Sequence, residues 1–117
     1  MTADACAAKH LRHGWLCLLV FLAAGLALES LHGLKVAAYL DLEHAVRRHM
    51  WTLAHAHGAL LGLVHLGLAA TVRAAPHLAT CSKGHYASVS LDLASVLLPL
   101  GFFLGGLQHY AGDPGLG

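Results

Sequence analysis

The chain has 117 residues, 57% of them hydrophobic and only 11% charged, with a formal net charge of +1. A soluble domain carries about 25% charged residues, so this balance excludes an ordinary water-soluble globule, and the near-neutral charge argues against a nucleic-acid surface or an acidic substrate. Eleven histidines are the one compositional anomaly.

In chain order, residues 1–14 form a short polar segment with Lys9, His10, Arg12 and His13. The run from Trp15, WLCLLVFLAAGLA, imitates a secretory signal, with a basic start, an apolar core and small residues near Ala27. Apolar character resumes after Glu29 and His32 as far as Leu40. Trp15 to about Leu40 is therefore read as one uncleaved span with a polar interruption. Residues 41–49 mix Asp41, Glu43, His44, Arg47, Arg48 and His49, which suits an interfacial turn or short amphipathic helix. The second span, Trp51 to Val72, contains no Asp, Glu, Lys or Arg and is long enough to cross a bilayer, which takes about 20 apolar residues. Trp51 belongs at the headgroup level. Residues 73–85 hold Pro76 and Gly84 and read as a loop. Tyr86 to about Leu107 is the third span, interrupted by Asp92 and kinked or thinned at Pro99. A polar, glycine-rich tail follows. Cys6, Cys17 and Cys81 form no C-x-x-C pair and imply no disulfide framework.

The expected fold class is all-α: an integral membrane helical bundle with three transmembrane helices plus a short interfacial helix, forming a single domain. Lys9, Arg12, Arg73 and Lys83 fall on one side, against Arg47 and Arg48 beside Asp41 and Glu43 on the other. The positive-inside rule then places the N-terminus in, in an inner or cytoplasmic membrane.

On the second span, Ala54, Gly58, Gly62 and His65 fall on one narrow helix face, a surface that lets another helix approach closely. Gly101 and Gly105 offer a second such surface. Helix packing is the simplest role of these glycines. His55 and His57 lie about 200° apart around an ideal helix, so they cannot readily chelate one ion together. His55 and His65 are about 15 Å apart along the axis. Because adjacent spans run antiparallel, Glu29 and His32 match the depth of His55 and His57. These form an expected outer cluster, to which His44 and His49 could add. His65 and Asp92 match nearer the N-terminal side, as a second cluster, and Ser88, Asp92, Ser95 and Pro99 share one stripe of the third span. The remaining histidines, His10 and His13 among them, are placed at or outside the membrane edges.

Ionisable groups inside a membrane are costly, and mark a functional site unless a simple hydrogen bond between them accounts for their presence. Glu-x-x-His on one helix with histidines from another is a partial transition-metal ligand set, suited to copper, iron or zinc. The candidate metal ligands are Glu29, His32, His55, His57 and Asp92; the candidate cofactor histidines are His55, His57 and His65. The segment Ala54-His55-Ala56-His57-Gly58 resembles the His-x-His helix of the haem-copper oxidase and nitric-oxide reductase families. That resemblance implies haem ligation by two histidines pointing from opposite faces, and covers only this segment. The alternatives are a proton- or ion-conducting protein using the same residues, or an accessory subunit of a larger membrane complex. Three helices enclose little volume, so a homo-oligomer or a partner membrane subunit is expected to complete the site. Ser88, Ser90 and Ser95 form no nucleophile elbow, and no nucleotide-binding glycine motif is present.

Overall fold

The computed structural model describes residues 2–41, 45–107, 109–110 and 113–115. Helix α1 spans Ala3–Gly33, the short α2 Ala37–Leu40, α3 Ala45–Ala74, the short α4 His77–Thr80 and α5 Ser82–Leu107. A two-residue antiparallel ladder, β1 (His109–Tyr110) with β2 (Asp113–Pro114), closes the described chain. Helices α1, α3 and α5 are each long and apolar enough to cross a membrane.

The first span departs from the sequence expectation at both ends. Thr2 caps α1, its hydroxyl accepting from the Ala5 N–H at 3.2 Å. The helix therefore begins at Ala3, and the polar segment expected in solvent is helical. It ends at Gly33, short of Leu40. The Val36 N–H donates to the Leu31 carbonyl, and the Lys35 N–H to that of His32. Lys35 adopts φ 53°, so it occupies the left-handed position that closes a helix. The expected interfacial helix is replaced by α2, and residues 45–50 belong to α3. His44 and Glu43 lie outside the described residues. In the expected loop, α5 starts early, at Ser82.

Helix α3 is central, packing against α1 on one side and α5 on the other. The Cα envelope is 52 × 26 × 14 Å, a slab one helix thick. The helix face expected for packing is the one buried: Ala54, Gly58, Gly62 and His65 are all enclosed. Gly14 and Gly62 form the crossing of α1 and α3. A Cβ on Gly14 would stand 2.9 Å from the Gly62 carbonyl oxygen, and one on Gly62 3.1 Å from that of Gly14. Along the same seam Phe21 lies over Gly58, and the His55 ring over Gly25. Of the expected Gly101 and Gly105 surface, Gly101 is open and Gly105 is buried, and the neighbouring Gly106 receives Trp51. Trp51 stacks between Tyr39 and Phe103, and its ring N–H donates to the Phe103 carbonyl at 3.2 Å.

The outer surface is oily. Leu19, Leu26 and Leu34 are 69%, 70% and 78% exposed. Soluble monomers rarely expose contiguous apolar patches beyond a few hundred Å², so these faces suit hydrocarbon.

Candidate metal centre

The polar side chains gather near the end of the slab where α1 begins. His10 and His65 are both 0% exposed, and Ser88 is buried beside them. Three helices supply the group. Position 10 of α1 lies one turn before the Gly14 crossing, where His65 on α3 faces it, and α5 brings in Ser88 and Asp92. An Nδ1–Nδ1 hydrogen bond of 2.7 Å joins His10 to His65, one ring donating and the other accepting. His10 Nε2 lies 2.9 Å from Ser88 Oγ. Lys9 Nζ donates to Ser88 Oγ at 2.6 Å and to Asp92 Oδ2 at 2.7 Å. His13 stacks on the His65 ring with centroids 5.6 Å apart.

Two buried polar atoms in this network lack a hydrogen-bond partner: His65 Nε2 and Asp92 Oδ1. Asp92 Oδ1 lies 4.0 Å from His10 Nδ1, too far for a hydrogen bond. An unpaired buried polar atom costs about 1–3 kcal/mol, a cost that a water or an ion at either atom would offset. One donor atom each from His10, His65 and Asp92 lies within 4.8 Å of the others. Two ligands on one zinc-sized ion sit about 3.3 Å apart, given bonds of about 2.0–2.1 Å. From their 2.7 Å contact the two imidazoles would open by about 0.6 Å, and the carboxylate, 4.0 Å from His10 Nδ1 in a group spread over as much as 4.8 Å, would close by about 0.7–1.5 Å. With an ion on His10 Nδ1, the ring carries its proton on Nε2 and donates to Ser88, the outer support a ligand histidine usually has.

Of the expected site residues, the structure brings His65 and Asp92 into one group. It does not assemble the outer cluster in this chain. Glu29 and His32 are exposed in the last turns of α1, because that helix starts about eight turns before its end rather than at Trp15. The α1 residues that meet His55 are Phe21 and Gly25, not Glu29. His55 Nδ1 donates to the Phe21 carbonyl. His57 Nδ1 donates to the Leu53 carbonyl of its own helix at 2.9 Å, and its ring packs 4.8 Å from that of Phe102. The two histidines thus turn to opposite neighbours, α1 and α5, as their angular separation requires. His49 is exposed.

Lys9, His10 and Ser88 are the members that sequence reasoning left out of the site. A signal for His10 exists: Ala3, Ala7, His10, Gly14, Cys17 and Phe21 recur at helical spacing straight through the polar segment.

Beyond the cluster α1 and α5 splay apart over α3. They leave an apolar groove of about 550 Å³ lined by Val20, Ala24, Leu28, His55, Ser95 and Pro99 among others. Pro99 has no N–H, so the Ser95 carbonyl loses its partner within the helix.

No protein-family model, curated protein or solved structure matches this chain.

Proposed function

We propose that this chain is an integral membrane protein that holds a transition-metal ion through His10, His65 and Asp92, for redox chemistry or metal handling. The carrying observation is the enclosed meeting of His10 Nδ1 and His65 Nδ1 with the partnerless Asp92 Oδ1, a two-imidazole, one-carboxylate group drawn from three helices. Imidazole with a single carboxylate suits zinc, copper or iron over magnesium or calcium. Three protein donors leave at least one position for water, substrate or a group from a second copy or partner subunit. The oily faces and the lengths of α1, α3 and α5 support insertion in a bilayer.

The test is elemental analysis of protein extracted from membranes with detergent, beside a His65→Ala variant. A chain with eleven histidines binds metal loosely at its surface, so the reading is the difference between the two proteins. Near-stoichiometric metal that is retained through mild chelation by the native chain and lost by the variant supports the centre. Equal metal in both sinks it, and leaves buried water as the account of the partnerless Asp92 Oδ1 and His65 Nε2.

A haem reading is favoured by one separate observation. The Phe21 carbonyl fixes the His55 proton on Nδ1, leaving Nε2 with a lone pair beside the apolar groove. A Soret band lost in His55→Ala would decide for it. The chain His65–His10–Ser88–Lys9–Asp92 has the composition of a proton relay. Conduction across the slab would need it to continue to His55, about 15 Å further along α3, and Gly14, Cys17, Leu18, Gly62 and Leu66 pack the interval.

A further inference from the structure

We propose that Lys9 is a tethered competing cation that restricts the centre to ions able to bind imidazole. This rests on the metal-binding reading above. Lys9 Nζ already sits on Asp92 Oδ2 at 2.7 Å and on Ser88 Oγ at 2.6 Å, so the one carboxylate of the group has its charge balanced before any ion arrives. Magnesium, calcium and manganese depend on oxygen ligands. Such ions find one carboxylate already engaged and two neutral rings they bind weakly. Zinc, copper, nickel and cobalt gain both nitrogens whether or not the carboxylate is free.

An ammonium and a divalent ion sharing a carboxylate repel strongly where water is scarce. The Lys9 side chain keeps 24% of its surface exposed, and it lies within about two turns of the start of α1. Its four-carbon stem can carry the charge outward along the helix while the methylenes stay on apolar surface. Occupancy by a metal therefore sends Lys9 out, and Lys9 in place turns away ions that offer too little to displace it. His10 and Ser88 do not need to move for this exchange, because Ser88 Oγ retains its contact with His10 Nε2.

The experiment compares the full chain in detergent with Lys9→Gln, which keeps a donor for Ser88, and Lys9→Arg, which keeps the charge. Cobalt affinity is read from visible absorption, and zinc and manganese affinities by competition, each minus the His65→Ala background. Lys9→Gln is expected to bind zinc and manganese each about tenfold more tightly, which makes binding of the weakly held manganese measurable where the native chain turns it away. Lys9→Arg stays near the native values, and Lys9→Gln has no effect when His65 is also alanine. A second readout uses the native chain alone: acylation of the Lys9 amine, followed by mass spectrometry, speeds up when zinc is bound. That readout decides the matter if Lys9→Gln does not fold. If His65-dependent metal is present but Lys9→Gln binds it equally or more weakly, or zinc slows acylation, Lys9 supports the site and the inference fails while the centre stands. If no variant shows His65-dependent metal, both fall together.

Discussion

Two levels of histidine sit on α3, and they behave differently. At the His65 level three helices converge, and the imidazole meets His10, His13 and, through Ser88, the Lys9–Asp92 pair. At the His55–His57 level each ring is satisfied by one backbone carbonyl, Phe21 in one case and Leu53 in the other. The second arrangement is how a lone histidine is housed in an apolar helix pair. The first contains more donors and acceptors than mutual satisfaction needs, and two remain unpaired. The lesson is that histidine content alone does not locate chemistry. What separates the levels is whether side chains from a third helix arrive, and that follows from α1 and α5 meeting at one end and splaying at the other.

The contrast can be broken most strongly at the seam. Gly62→Leu drives a branched side chain into Cys17, Leu18 and the Gly14 backbone. A loss of about 3 kcal/mol in detergent unfolding is expected, with metal lost along with it; an unchanged midpoint would mean that the crossing is not as close as described. Next comes the polar level itself. Asp92→Ala leaves Lys9 without its anion and should cost about 2 kcal/mol. Adding Lys9→Ala should recover part of that loss, and a strictly additive double variant would deny the pairing. The smallest effects belong to the other level. His55→Ala should cost about 1 kcal/mol for one hydrogen bond, with His65-dependent metal retained. Glu29→Gln should stay within about 0.5 kcal/mol, as for exposed positions generally. A larger loss of metal from Glu29→Gln than from Asp92→Ala would reverse the ranking of the two levels.

Much of α3 and α5 was legible in the sequence. The Ala54, Gly58, Gly62, His65 face is enclosed, as helical periodicity predicts, and on the stripe of Ser88, Asp92, Ser95 and Pro99 all but the half-buried Asp92 are buried. Matching depths along antiparallel spans put His65 and Asp92 at one level, and the structure has them within 4.8 Å, with Lys9 as the direct partner of the carboxylate. The same arithmetic failed for Glu29 and His32 because it depends on where a helix starts. Lys9, His10, Arg12 and His13 look like solvent-facing residues when hydropathy is summed along the chain. Arg12 and His13 are indeed exposed, whereas Lys9 and His10 take their partners from Ser88 and Asp92, about 80 positions away. Hydropathy counts each residue alone and assigns no credit for a polar group satisfied across helices. The stop at Lys35 was hidden for a different reason: the left-handed position there is held by a lysine, where glycine is the usual marker.

The contact between Gly14 and Gly62 also acts as a fulcrum. It stands one turn, about 6 Å, from His10, but about 16 Å from Gly25, where the His55 ring rests. Any rocking of α1 about that point swings the far arm nearly three times as far as the near one. The imidazole pair thus sits on the short arm of that crossing and the apolar groove on the long one.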